Sequence, residues 1–148
     1  MNDSAGRTPA QLYALVFGTT LVVAGIIGFF YSSSFGSPGE VDGVFGILDV
    51  NGWHNVVHIA TGVIGLLSLG YSSARLYAVG LGAVYVVVAI WGFAVGDGGA
   101  ILGFIPVNTE DNVLHVVIGL AGLGAYAATP AVTKPTRARR TDATGAAA

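Results

Sequence analysis

Four long apolar stretches run through the chain, and polar residues fall mostly between them. Gln11 to Tyr31, Gly52 to Ser72, Leu76 to Val95 and Asn112 to Ala128 contain no Asp, Glu, Lys or Arg. A helix needs roughly 20 predominantly apolar residues to cross the hydrocarbon core of a bilayer. None of the stretches alternates with a period of two, so they predict helices rather than strands. The fourth stops before Pro130, whose ring and missing N–H cannot continue a helix interior. The first run exceeds the roughly 7–15 apolar residues of a signal-peptide core and lacks a small-residue cleavage site after it, which predicts a retained helix. The expected fold class is all-α, an integral membrane four-helix bundle.

The pattern repeats. Leu12 to Phe29 aligns without gaps on Leu76 to Phe93, with nine of eighteen positions identical, including the Leu-Tyr-Ala start and the Gly-Phe end. The second helices align as well. Asn51, His54, Asn55, His58, Gly62 and Gly65 fall on Asn108, Asp111, Asn112, His115, Gly119 and Gly122. The offset is 64 for the first helices and 57 for the second, so the first outer loop is seven residues longer. Two tandem helix-loop-helix repeats, residues 11–72 and 75–128, make up a single transmembrane domain at 11–128. Each repeat has an even number of spans, so both enter the membrane in one orientation. That arrangement implies a pseudo-twofold axis along the membrane normal. Ala14 with Gly18 and Ala78 with Gly82 supply the small-residue spacing that lets membrane helices approach closely.

Charge orients this layout. Arg7, Arg75, Lys134, Arg137, Arg139 and Arg140 are all six basic residues, and all fall on one side of the predicted spans. Glu40, Asp42, Asp49, Asp97, Glu110 and Asp111 fall on the other. The positive-inside rule then places both termini in the cytoplasm of a multi-pass protein of a bacterial cell membrane. Tyr13, Tyr71, Tyr77 and Tyr126 near the inner ends, and Tyr31, Trp53 and Trp91 near the outer ends, fit interfacial aromatic belts. Residues 1–10 form a cytoplasmic tail, and 129–148 a disordered cytoplasmic tail whose basic cluster fixes topology or meets anionic lipid. Only 9% of the chain is charged, against about 25% in a soluble domain. The absence of Cys excludes disulfides, thiolate metal sites and Cys nucleophiles. No phosphate loop, nucleophile elbow or His-Glu-x-x-His occurs, and the few basic residues suggest no nucleic-acid partner. The expected partners are the lipid bilayer and other membrane proteins or a second copy.

Candidate chemistry lies at the outer ends of the second and fourth helices. His58, Gly62, Gly65 and Leu69, and likewise His115, Gly119, Gly122 and Tyr126, recur at spacings that keep one face of a helix. His58 and His115 therefore face protein, with the glycines Gly18, Gly82, Gly62, Gly65, Gly119 and Gly122 as close-packing positions. Asn51 and Asn108 are expected N-caps, which puts His58 and His115 about two turns in, roughly 10 Å. Should helices two and four line the axis, His54, His58, Asp111 and His115 converge. Three imidazoles and a carboxylate make a metal-ligand set, and two imidazoles across an axis can ligate haem b. Against this stands a plainer role: Asn51, Asn55, Asn108, Asn112 and the histidines joining helices by hydrogen bonds. His54 alone is expected to be exposed at the interface, and Glu110 and Asp111 to favour a helix N-terminus. "GILDVN" and "GFIPVN" are expected to tuck apolar side chains against the bundle top.

The paired segments "VNGWHNVVHIATGVIGL" and "VNTEDNVLHVVIGLAGL" resemble the twin signatures of the family called domain of unknown function 4383, small four-helix membrane proteins of actinobacterial type. The resemblance covers about Leu12 to Tyr126. It implies an integral membrane protein with this layout and no particular activity or catalytic residue. The expected function is a structural or binding component with no catalysis of its own. The alternative is a haem- or metal-binding redox component using His58 and His115. The third reading, a small transporter or proton-linked channel, fits less well, because the helix centres are Gly, Val, Ile and Leu with Thr19, Thr20, Thr61 and Tyr85 as the few polar exceptions.

Overall fold

A computed structural model describes residues 6–36 and 42–131. The charged tail Lys134 to Arg140, most of the segment expected to be disordered, and Glu40 lie outside the described residues. The protein is mostly helical, in the order α1 (Pro9–Gly28), β1 (Asp42–Val44), β2 (Leu48–Val50), α2 (Gly52–Leu67), α3 (Tyr71–Val95), β3 (Gly99–Ile101), β4 (Ile105–Val107) and α4 (Thr109–Ala127). Two of the four helices, α1 and α3, are long and apolar enough to cross a membrane.

Local chemistry sets the helix ends. Thr8 caps α1 in a reciprocal pair with Gln11, and Pro9 takes the first-turn position where its missing N–H costs nothing. Asn51 accepts from the His54 N–H and Asn108 from the Asp111 N–H, each at 2.9 Å, so both act as N-caps. Gly96 ends α3 with a φ of 75°, a left-handed conformation that only glycine adopts at little cost. Gly70 starts α3 at Tyr71, five residues before the stretch that begins at Leu76, because Arg75 interrupts the apolar run without interrupting the helix.

The α1–α2 and α3–α4 connections hold two antiparallel hairpins that the hydrophobic pattern did not show. Val44 pairs with Leu48 in the first, and Ile101 with Ile105 in the second. Phe45 and Leu102 begin the tips with a φ of 54° each, followed by Gly46 and Gly103, also at positive φ. For bulky side chains that conformation is strained. Val44, Val50, Ile101 and Val107 are buried, so each hairpin turns apolar side chains onto the helix ends.

The glycines let helices pair in two hairpins of their own. A Cβ at Gly62 would stand 2.6 Å from the Gly18 carbonyl oxygen, and one at Gly119 3.0 Å from that of Gly82. α1 thus lies backbone to backbone with α2, and α3 with α4. Between these pairs the main contact is α1 against α3, not α2 against α4. The core there is Ala10, Ala14, Ala74, Ala78, Tyr13 and Tyr77, with the two tyrosine rings 6.1 Å apart. Tyr13 and Tyr77 were expected in an interfacial belt, yet both are buried. Tyr13 donates its hydroxyl to the Ile118 carbonyl of α4, and Tyr77 to the Thr61 carbonyl of α2. Each ring lies over a glycine of the helix it bonds, Gly122 and Gly65 respectively, where a Cβ would collide with it.

Candidate metal centre

At the hairpin end, α2 and α4 bring three imidazoles together. His54, His58 and His115 each offer one ligand atom, and these atoms lie within 4.8 Å of one another. His54 and His58 sit one turn apart on α2, and their Nε2 atoms are 3.1 Å apart. The Nδ1 of His54 lies 3.1 Å from the Asp49 carbonyl oxygen. A carbonyl only accepts, so Nδ1 carries the proton and the Nε2 lone pair is directed at the cluster. Metal-binding histidines are oriented in this way, with one ring nitrogen anchored to a carbonyl and the other free for the ion.

The surroundings are apolar. The cavity at the cluster has a volume of about 90 Å³ and is lined by Val57, Val84, Tyr85, Ile101 and Val107 among others. The Tyr85 ring meets His115 edge-on at 5.0 Å between centroids. His115 is buried, and its Nδ1 has no hydrogen-bond partner. His54 is also buried, at 2% exposure, which corrects its expected place at the interface. The reason is the hairpin cover: Asp49 lies on β2 and Val107 on β4, and both strands close over the start of α2.

Asp111 does not join the three imidazoles. It is 3% exposed, its Oδ2 has no hydrogen-bond partner, and it shares with His58 the wall of a second cavity between α1, α4 and the β1–β2 hairpin. Three of the four side chains expected to converge therefore do so, without α2 and α4 packing along each other.

The asparagines divide into two sorts. Asn51 donates to the Phe104 carbonyl at 2.7 Å, and Asn108 to the Ile47 carbonyl at 2.6 Å. Both bonds run from a helix start to the opposite hairpin, rather than between helices. Asn55 donates to the Ser32 carbonyl just beyond α1 and fits against Gly28, where a Cβ would overlap its amide. Asn112 lies in the same way against Gly92 of α3. Phe104, Ile47, Gly28 and Gly92 escaped the sequence reading. The glycines carried a signal, since each occupies the same place in the repeated Gly-Phe ending.

Among the described residues, four helices and two small hairpins thus frame a three-histidine cluster that lies under the hairpins. Over residues 11–128 the chain matches the family described as domain of unknown function 4383, and it belongs to that family. No curated protein and no solved structure shows a significant similarity to it.

Proposed function

We propose that the chain is a multi-pass protein of a bacterial cytoplasmic membrane, a binding component that holds one divalent transition metal between His54, His58 and His115. The observation that carries this reading is the approach of three ligand atoms to within 4.8 Å, with His54 anchored through Nδ1. Two nitrogens on one tetrahedral zinc, each at about 2.0–2.1 Å, stand about 3.3 Å apart. The His54–His58 separation of 3.1 Å is close to that value. Imidazole suits zinc, copper, iron and nickel. Haem fits less well, because a pocket of about 90 Å³ is well below the roughly 300–1,000 Å³ of cofactor sites.

Exposed apolar side chains support the membrane setting. Leu12, Val16, Val23 and Ile26 on α1, and Leu76, Val84, Val87 and Ile90 on α3, are all exposed. Soluble monomers rarely present so much contiguous apolar surface. The paired bonds support a bundle with a pseudo-twofold axis along the membrane normal. Adding 64 to Tyr13 and subtracting 57 from Ile118 gives the Tyr77–Thr61 bond, and the same shift of 57 exchanges Asn51–Phe104 with Asn108–Ile47. Arg7 and Arg75, at the end away from the hairpins, support a cytoplasmic placement of that end.

The test is to purify the full chain in mild detergent and record metal content and visible absorption on the same sample. About one metal per chain is expected, falling sharply in His58→Ala and His115→Ala. A folded preparation that binds neither Zn²⁺ nor Co²⁺ overturns the reading. A Soret band that disappears in both variants would overturn it in favour of haem.

A further inference from the structure

Three imidazoles leave the proposed ion one ligand short of a tetrahedron. Among the described residues no other His, Cys, Asp or Glu belongs to the group. The alignment of the repeats sets His54 against Asp111, so the second half supplies one imidazole and a carboxylate, and that carboxylate stands at the separate cavity of α1 and α4. Zinc sites that serve structure are closed by four protein ligands, whereas sites with three keep the fourth position for water or substrate.

The missing position has space beside it. His54, His58 and His115 all border the cavity of about 90 Å³, and apart from Thr61 and Tyr85 its other walls are valine and isoleucine. The Thr61 hydroxyl donates to the Val57 carbonyl of its own helix at 2.7 Å. The Tyr85 ring stands edge-on to His115.

Charge and size decide what fills the position. With its proton on Nδ1, His54 offers a neutral ring, and imidazole binds metal in its neutral form. Three such ligands leave both charges of a divalent ion uncompensated among aliphatic side chains, which is costly unless an anion pairs with it. The anion has to be small. Liquid water takes about 30 Å³ per molecule, and a cavity that admits benzene measures about 150 Å³. The space of about 90 Å³ therefore suits a ligand of about three heavy atoms and is too small for an aromatic ring.

We propose that the metal centre is an open one, and that its fourth position takes a small monovalent anion of the class of azide, cyanate or formate. This inference rests on the three-histidine metal reading and goes beyond it, since a closed site would hold its ion with no such ligand.

The experiment loads the full-length protein in detergent with Co²⁺ in chloride-free buffer, and follows its visible spectrum during titration with sodium azide and, separately, with sodium benzoate. A saturable azide-dependent change in the Co²⁺ bands is expected, with Co²⁺ still bound after gel filtration, and no change with benzoate. Bound Co²⁺ whose spectrum ignores azide overturns the proposal. If Asp111→Asn also alters that azide-silent spectrum, the fourth ligand comes from the chain itself. An equal response to both anions overturns the proposal as well, because the position is then not bounded by the cavity. A folded protein that takes up no Co²⁺ and no Zn²⁺ fails at the earlier step, removing the metal reading and this inference with it.

Discussion

The oxygen of the Asn51 side chain accepts from the His54 N–H while its nitrogen donates to the Phe104 carbonyl, so truncation removes a helix cap and a long-range bond together. Asn51→Ala should cost about 1–3 kcal/mol, the sum of a cap and a buried hydrogen bond, read as a lower unfolding midpoint in detergent. Gly28→Ala and Gly92→Ala should each lose about 1–3 kcal/mol by driving a methyl group into the Asn55 or Asn112 amide. Gly124→Ala is the matched control. Apart from its own stretch of helix, nothing lies within 4 Å of its added Cβ, and it should be neutral or gain up to about 1 kcal/mol. At this scale the caps and the glycine stripe were legible, because Asn before an apolar helix and Gly at helical spacing act through local backbone geometry. The burial of His54 was not. It depends on strands that come from elsewhere in the chain to cover it.

Among elements, the helices were readable and the hairpins were not, for the same reason. A helix of 20 residues imprints its whole length on the apolar pattern. A strand of three residues is too short to show alternation. Its turn is no clearer, since Phe45 and Leu102 take a positive φ that sequence does not associate with such side chains. Packing also divided a motif the sequence presents as one. Ala14 and Ala78 serve the contact between α1 and α3, whereas Gly18 and Gly82 face α2 and α4. The tyrosine hydroxyls tie these pairs crosswise, α1 to α4 and α3 to α2. Tyr13→Phe and Tyr77→Phe should each destabilise by about 0.5–1.5 kcal/mol while leaving the ring packing in place, and both losses should appear in thermal unfolding followed by circular dichroism.

For the whole molecule, the proposed orientation predicts that reporter fusions at either terminus are active in the cytoplasm and that a tag inserted at the Phe45–Gly46 tip is accessible from outside. A periplasmic C-terminus would reverse the assignment. The four apolar runs were evident in sequence, but α2 has 16 residues and spans about 24 Å, short of a hydrocarbon core of about 30 Å. In the proposed setting the hairpins and the helix start above His54 occupy the remaining depth. That setting would keep the titratable cluster inside protein near the membrane's outer edge rather than at its midplane.

The crossed asparagine bonds also impose an order in time. The acceptor of the Asn51 amide lies 53 residues further along the chain. At synthesis rates of roughly 5–20 residues per second, about 3–10 seconds pass before Phe104 exists. Until then the bond from the start of α2 to the second hairpin cannot form, and His54 and His58 wait without β4 over them and without His115. The nascent first half is therefore unfinished at the end that carries the chemistry, and the cluster becomes complete only as the second half arrives to lock it.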